Sequence, residues 1–169
     1  MTITGCSAHH NGLDGFVLDF CSNVVMSDNM AFANGRHGYN IVTGSHDVTM
    51  TNNDAFANGG SGIVVQTGDN EIREFTHAIS ISGGMVTNNG KAGIDARMVD
   101  DLHITGVTVT ANASDGIALQ GVNAADLAGN AISGNGGTAP IKVAGYLQDF
   151  DDTDALNDRW VPSSGITVD

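Results

Sequence analysis

An eight-residue pattern that begins with asparagine recurs six times along this chain, and the recurrence restricts the possible folds more than any other feature. Its fifth position is glycine five times and alanine once, at residues 15, 38, 62, 93, 116 and 139. The intervals are therefore 23, 24, 31, 23 and 23 residues, the third carrying about eight additional residues. A fixed period of this length is typical of a solenoid, in which each repeat forms one structural unit.

Short stretches of alternating apolar and polar residues come before each pattern. Examples are residues 48–56, 79–86 and 102–109, which are rich in β-branched side chains and are punctuated by asparagine and glycine. This alternation predicts short strands, and no apolar stripe with helical spacing is found. A leucine-rich signature and a nine-residue glycine repeat are both missing. The sequence therefore predicts an all-β protein, a right-handed parallel β-helix of about six coils with roughly 23 residues each.

The sequence also predicts the conformation of the turns and the nature of the C-terminal segment. We expect the recurrent Asn-Gly turns to adopt positive φ, because both residues tolerate it, and the stacked asparagines to hydrogen-bond along the axis. The repeats predict a β-helix domain over 1–145 and an acidic tail or capping loop over 146–169. The tail contains Asp149, Asp151, Asp152, Asp154 and Asp158. Its carboxylates suit calcium, but their spacing fits no EF-hand loop.

The repeat register predicts which side chains lie side by side on successive coils. Two inward columns are expected: Phe16, Tyr39, Ile63, Ile94, Ile117 and Leu18, Ile41, Val65, Ala96, Leu119. Two outward columns are expected: Val17, Asn40, Val64, Asp95, Ala118 and Asp19, Val42, Gln66, Arg97, Gln120. Arg36, Lys91 and Arg97 fall on or beside one sheet edge. Such a row suits an extended anionic polymer, unless these charges merely solvate a strand face.

Composition narrows the class of partner. The chain of 169 residues has 19 acidic and 6 basic residues and a formal net charge of −13, which argues against non-specific nucleic-acid binding. No apolar run is long enough for a transmembrane helix, and the first residues predict no signal peptide in this chain. An Asp-rich surface suits a secreted or calcium-rich setting, and it is equally consistent with a role in solubility alone.

Cys6 and Cys21 either pair or serve as small core residues.

Three segments resemble one family of enzymes. Residues 11–19 (NGLDGFVLD), 34–43 (NGRHGYNIVT) and 46–53 (HDVTMTNN) are similar to the later coils of the catalytic A-module in the secreted, calcium-dependent mannuronan C-5 epimerases. The resemblance continues through 55–66 and 148–153. It is close over residues 2 to about 70 and looser from there to 153. The Arg-His-Gly-Tyr-Asn string is its most specific part, because the Asn-Gly repeats alone indicate only a β-helix.

The resemblance implies inversion of β-D-mannuronate at C5 within alginate, giving α-L-guluronate. It implies a calcium cofactor, at no particular site, and an extracellular location. By the matching motifs, Arg36 contacts a substrate carboxylate, and His37 is a catalytic acid or base or neutralises that carboxylate. Gln66 and Arg97 match substrate-groove positions, where the family often has lysine instead of Arg97. Asp14 and Asp19 match acidic residues of the groove.

One departure from the family affects the expected activity. The family has a Tyr-Gly-x-Asp-Pro-His segment one coil earlier, which nothing here matches, and His9 and His10 are not substitutes for it. We therefore expect the C-terminal half of an A-module, weakly active or inactive alone. An exposed first coil is expected to favour self-association. Two other functions stay open: a non-catalytic polysaccharide-binding or adhesin β-helix, and a polyuronate lyase.

Overall fold

The computed structural model describes residues 1–67, 75–148 and 159–169, which form a parallel β-solenoid of about six coils. Within these ranges there are 21 strands, numbered β1 to β21 in chain order, and no helix. Three parallel sheets run along the solenoid axis, and each coil contributes one strand to each of them. The all-β solenoid predicted from the repeats is confirmed.

The first sheet has seven strands: β1 (Thr2–Thr4), β4 (Ser22–Ser27), β7 (His46–Thr51), β10 (Thr76–Ser82), β13 (Val99–Thr105), β16 (Asn123–Ala128) and β21 (Ser164–Val168). The second has six: β2 (Ser7–His9), β5 (Met30–Phe32), β8 (Asp54–Phe56), β11 (Met85–Thr87), β14 (Thr108–Thr110) and β17 (Ala131–Ser133). The third has six: β3 (Phe16–Asp19), β6 (Tyr39–Val42), β9 (Ile63–Gln66), β12 (Ile94–Arg97), β15 (Ile117–Gln120) and β18 (Ile141–Ala144). An antiparallel pair joins β19 (Tyr146–Gln148) to β20 (Arg159–Val161).

The register of the third sheet agrees with the columns predicted from the repeats. Phe16, Tyr39, Ile63, Ile94 and Ile117 are successive partners, and so are Leu18, Ile41, Val65, Ala96 and Leu119. Most of these side chains are fully buried in one continuous apolar core, which the first and second sheets complete with residues such as Val48, Leu102 and Val109. Burial of this apolar surface is the main driving force for stacking the coils.

A ladder of asparagine side chains runs along one corner of the solenoid. The amide of each ladder residue donates to the side-chain oxygen of the next at 2.9 Å, through Asn11, Asn34, Asn58, Asn89, Asn112 and Asn135. From Asn34 onward, each side-chain oxygen also accepts a hydrogen bond from the backbone N–H of the asparagine one coil earlier. The expected hydrogen bonding of stacked asparagines is therefore confirmed.

The prediction that the Asn-Gly turn itself adopts positive φ is wrong. The left-handed residues lie one position earlier, at His10, Ala33, Ala57, Asn88, Ala111 and Gly134. The asparagine is required for the ladder, and the glycine for close approach of the coils. A Cβ atom on Gly59, for example, would lie 2.6 Å from the carbonyl oxygen of Gly35 on the preceding coil.

One predicted outward column is covered instead of exposed. Val17 is exposed, but Asn40, Val64, Asp95 and Ala118 are each at least nine-tenths buried. Their register is as predicted. The two-residue alternation along each strand therefore directs these side chains away from the apolar core, as predicted. Two of them carry long side chains of the neighbouring column, since Gln66 donates to Asn40 and both Arg97 and Gln120 donate to Asp95.

The structure also bears on the two cysteines, on membrane-spanning helices and on the acidic tail. Cys6 and Cys21 are both free thiols; Cys6 is exposed, and Cys21 packs against the core from a half-buried position. No helix in the described ranges has the length and apolar character needed to cross a bilayer. The extra residues of the third interval and the acidic residues between 149 and 158 lie outside the described ranges. The domain boundary at 145 stays a prediction.

Candidate functional site

The candidate site is the outer surface of the third sheet together with the turn residues just before each of its strands, here called the trough. Coils are numbered 1 to 6 by their strands β3, β6, β9, β12, β15 and β18. Backbone hydrogen bonds stack the turns in register, from Arg36 N to Leu13 O at 2.9 Å and from Lys91 N to Gly60 O at 3.0 Å. Equivalent residues of successive coils therefore lie side by side.

Asp14 organises the first two coils of the trough. Its side chain is only 1% exposed. Asp14 Oδ1 accepts hydrogen bonds from Arg36 Nε at 2.8 Å and from the backbone N–H of His37 at 3.0 Å. Asp14 Oδ2 accepts from Arg36 Nη2 and from Asn40 Nδ2, the latter at 3.1 Å. Asn40 Oδ1 then accepts from Gln66 Nε2 at 3.2 Å, so one polar chain extends over three coils.

This arrangement fixes the charge of both members of the Asp14–Arg36 pair. Burial alone would raise the pKa of Asp14, but the hydrogen bonds from Arg36, the His37 backbone and Asn40 outweigh it and hold that pKa below its ordinary value. The hydrogen bond to Asp14 raises the pKa of Arg36. Two of the five N–H donors of a guanidinium are used on Asp14, while the Arg36 side chain is 49% exposed. A buried carboxylate thus orients an exposed cation.

His37 is held by the main chain of the next coil. The backbone N–H of Ser61 donates to His37 Nδ1 at 3.0 Å. Because a backbone N–H can only donate, Nδ1 must be the unprotonated nitrogen, and neutral His37 carries its proton on Nε2. Burial lowers the pKa of His37; the charges of Asp14 and Asp95 oppose this effect, and those of Arg36 and Lys91 add to it. His37 therefore presents an N–H donor at neutral pH.

We predict that nitrogen-15 NMR finds His37 with a protonated Nε2 and an unprotonated Nδ1, titrating below the ordinary value of 6.5. The unfolded chain then binds this proton first as the pH falls. The contribution of His37 to stability is therefore complete above its ordinary pKa and is lost as the pH falls through its folded pKa. Ser61→Ala keeps the backbone N–H and should leave the tautomer unchanged. A protonated Nδ1 at neutral pH would contradict the assignment.

The later coils repeat the combination of a buried acid and an exposed cation. Arg97 donates through Nε to Asp95 Oδ1 at 3.2 Å and through Nη2 to Asp95 Oδ2. Gln120 Nε2 donates to Asp95 Oδ1 at 3.3 Å, and Lys142 Nζ lies 3.9 Å from Asp115 Oδ2. The exposed fractions of the side chains are 33% for Arg97 and 49% for Lys142, but 7% and 9% for the two acids. These residues line a depression of about 250 Å³ together with Lys91.

The structure separates the predicted site residues into two groups. Asp14, Arg36 and His37 are in direct contact, and Gln66 joins them through Asn40. Gln66 is the register partner of Arg97 on the next coil. Asp19 belongs to the same column by register, but its carboxylate is exposed, and the described residues give it no hydrogen bond within this network.

Two other side chains that resemble catalytic groups lie away from the trough. Tyr39 is 1% exposed and donates its hydroxyl to the Asp54 carbonyl at 3.2 Å. Burial raises the pKa of Tyr39, so it offers no base to this surface. His9 stacks on Phe32 in the second sheet and its ring hydrogen-bonds to that of His10.

The carboxylates of the described residues do not gather into a metal-binding cluster. Nowhere in residues 1–67, 75–148 and 159–169 do three or more His, Cys, Asp or Glu side chains converge as metal ligands would. The buried carboxylates of the trough are engaged by Arg36, Arg97 and Lys142 instead.

Sequence reasoning missed the residues that hold the predicted site in place. Asn40 was expected to be an exposed member of a column, but it bridges Asp14 and Gln66. Its place in the Arg-His-Gly-Tyr-Asn string was the available signal. The Ser61 interaction uses a backbone N–H, so no side-chain pattern could have indicated it. The pairing of Lys142 with Asp115 required the register of coils 5 and 6.

Comparison with known proteins agrees with this geometry. The family described as "Right handed beta helix region" matches residues 1–96. The mannuronan C-5 epimerase AlgE6 A-module of Azotobacter vinelandii superposes with a TM-score of 0.89 and 33% identity over 99% of this chain and 43% of that structure. From the same organism, mannuronan C5-epimerase AlgE5 is 34% identical over 102 residues, which is 60% of this chain and 10% of the relative.

Another relative has a different activity in its name. Alginate lyase 7 of Azotobacter vinelandii is 54% identical over 48 residues, 28% of this chain and 6% of that protein. The chain thus spans a tenth or less of the lengths of these two curated relatives. The resemblance to mannuronan C-5 epimerases inferred from the motifs is confirmed. The matching family model covers more than half of the chain, and the chain therefore belongs to the right-handed β-helix family.

Proposed function

We propose that this chain binds an alginate-type polyuronate along the trough and acts in the epimerisation of β-D-mannuronate to α-L-guluronate at C5. The observation that carries the proposal is the pair of donors on coil 2: the exposed Arg36, held by the buried carboxylate of Asp14, and the half-buried His37, whose backbone N–H donates to Asp14 and whose ring accepts from Ser61 N–H. The likeness to the epimerase A-modules, at 33% identity over 99% of the chain, supports the same choice of substrate.

The chemistry explains why this pair is suited to the reaction. Abstraction of the C5 proton leaves negative charge that spreads onto the adjacent carboxylate, so donors must neutralise that group. Arg36 supplies a fixed positive charge, and the Nε2–H of His37 supplies a hydrogen bond. A base takes the proton from one face of the ring, and an acid returns a proton to the other. We assign Arg36 and His37 to the carboxylate and Gln66 and Arg97 to neighbouring sugar units.

The base for C5 is not among the described trough residues that hydrogen-bond in this network. Asp14 and Asp95 are buried and already accept hydrogen bonds from cations, and Asp19 stands apart at the first coil. We therefore expect the chain alone to bind polymannuronate and to exchange the C5 proton only slowly, with hydroxide from the solvent as the base. A complete Tyr-Gly-x-Asp-Pro-His coil would supply what these residues lack.

Incubation of stoichiometric chain with polymannuronate in heavy water tests the proposal. We expect slow appearance of deuterium at C5, detected by NMR of the sugar, without new unsaturated ends. His37→Ala should abolish this exchange, because a donor to the carboxylate is lost. His103→Ala, on β13 of the first sheet, is a matched control that should exchange like the native chain.

Each other outcome overturns a part of the proposal. Ultraviolet-absorbing unsaturated ends would identify a polyuronate lyase, which shares the first proton abstraction but then expels the C4 oxygen. This second candidate is favoured by the likeness to alginate lyase 7. Saturable binding without exchange would identify a non-catalytic polysaccharide-binding module. Exchange by His37→Ala at the native rate would show that the role given to His37 is wrong.

Three further properties belong to the same proposal. We propose that the chain works outside the cell and that calcium supports its activity, as the family resemblance implies.

We also propose self-association through the first coil, whose strands β1, β2 and β3 are the outer members of their sheets. Leu13, Val17 and Phe20 are more than half exposed there, and unpaired strand edges favour association. Sedimentation velocity measures this association directly.

A further inference from the structure

In the part of the trough that the structure describes, the lysines and arginines lie on alternate coils. Arg36 belongs to coil 2, Lys91 and Arg97 to coil 4, and Lys142 to coil 6. Among the described trough positions of coils 1, 3 and 5, the residues in the same columns are neutral or acidic, including Leu13, Gly60, Gln66, Ser114 and Gln120. The four cations are also most of the six basic residues in the chain.

The separation of these alternate coils matches the carboxylate repeat of a two-fold polyuronate ribbon. Successive coils are separated by about 4.8 Å, which is close to the length that one pyranose adds to an extended 1,4-linked chain. Alternate coils are therefore about 10 Å apart. In a flat ribbon with two-fold symmetry, successive sugar units face opposite ways. Carboxylates on one side of such a ribbon then recur every second sugar, and thus every second coil.

We infer that the trough reads every second carboxylate of a two-fold, diequatorially linked polyuronate ribbon, with coils 2, 4 and 6 as three carboxylate subsites. This inference rests on the proposed function and adds the conformation of the bound polymer. Mannuronate blocks have the required linkage. Guluronate blocks have diaxial links and a buckled chain, whose carboxylates do not follow the two-coil spacing. The occupant is therefore a mannuronate run of at least five units, the span from coil 2 to coil 6.

The buried acids contribute to this spacing by fixing the cations. Asp14, Asp95 and Asp115 lie beneath Arg36, Arg97 and Lys142, and the acid side chains are at most 9% exposed. Their partners are each at least 33% exposed. In a chain of net charge −13, this layering presents positive groups to the ligand and keeps most of the nearby negative groups away from it. Without anchors, long side chains could adapt to any ligand spacing.

A charge transfer between neighbouring coils tests the spacing without altering composition. The double variant Lys91→Ser with Ser114→Lys moves one positive charge from coil 4 to coil 5, and both positions belong to the same stacked turn, since Ser114 N donates to Lys91 O at 3.1 Å. The probe is hexameric oligomannuronate, titrated by calorimetry at low salt, with hexameric oligoguluronate as the comparison. Circular dichroism and thermal melting confirm that each variant is folded.

We expect the double variant to lose affinity for oligomannuronate by about three- to five-fold, the scale of one exposed ion pair, and to match Lys91→Ser alone. We expect Lys142→Gln to weaken the hexamer similarly but the trimer by less than two-fold, because a trimer spans only two cationic coils. Native affinity in the double variant would overturn the inference, since total charge would then suffice, and so would equal binding of oligoguluronate. Failure of the native chain to bind either oligomer would instead overturn the proposed function.

Discussion

Replacement of Asn58 by alanine is expected to lower the free energy of unfolding by roughly 3–5 kcal/mol, because it leaves several buried polar groups without partners at about 1–3 kcal/mol each. Asn58 is 2% exposed. Its amide donates to Ala31 O at 3.0 Å and to Asn89 Oδ1 at 2.9 Å, and its oxygen accepts from both nitrogens of Asn34. All of these contacts join different coils. Such a loss is a large share of the stability of a domain.

Asn11→Ala is the matched control, since Asn11 is the exposed first member of the same ladder. Its side chain contributes one hydrogen bond, to Asn34 Oδ1 at 2.9 Å, so we expect a loss of about 1 kcal/mol or less. Urea denaturation followed by circular dichroism compares the variants. Equal effects at Asn11 and Asn58 would mean that the ladder is not a source of inter-coil stability.

Replacement of Gly62 by alanine is expected to destabilise the protein by about 3 kcal/mol, at the upper end of the range for overpacking. An added Cβ would lie 2.7 Å from Asn89 Nδ2 and 2.9 Å from Gly93 O on the next coil, and it would also contact Val86 Cγ1. A backbone carbonyl and a buried ladder amide cannot move aside without separating the coils. The effect is steric, since the φ of Gly62 is not in the left-handed region.

Gly12→Ala provides the control for that substitution, because a Cβ atom at Gly12 would meet nothing within 4 Å. We expect its melting temperature to remain close to that of the native chain, while Gly62→Ala melts several degrees lower. A Gly62→Ala variant as stable as Gly12→Ala would show that the coils can separate at this point, and that their spacing is not set by the glycines.

The fold could be predicted because each coil of the solenoid corresponds to one repeat of the sequence. Residues 15, 38, 62, 93 and 116 mark equivalent positions, and the two-residue alternation around them decides which side chains enter the core. The same logic placed Gln66 and Arg97 on neighbouring strands, as the structure does. It failed at Asn40 and Asp95, because the direction of a side chain does not reveal whether longer neighbours will cover it.

The backbone torsion angles and the hydrogen bonds between coils could not be predicted from the sequence. Positive φ at Ala33 and Ala57 is unusual for alanine and is imposed by the corner of the solenoid, not by local preference. The hydrogen bond from the Ser61 amide to His37 likewise depends on how two coils stack. The sequence therefore predicted which residues share the outer surface of the third sheet, but not the contacts that hold their side chains.

We expect a polyuronate to bind along the outer surface of the third sheet, and backbone amide NMR of the labelled chain titrated with hexameric oligomannuronate tests this binding most directly. We predict chemical-shift changes concentrated around Arg36, His37, Gln66, Lys91 and Arg97, with the strands of the second sheet unaffected. Changes centred on the second sheet, or saturation of the titration without any change in the trough, would contradict the claim.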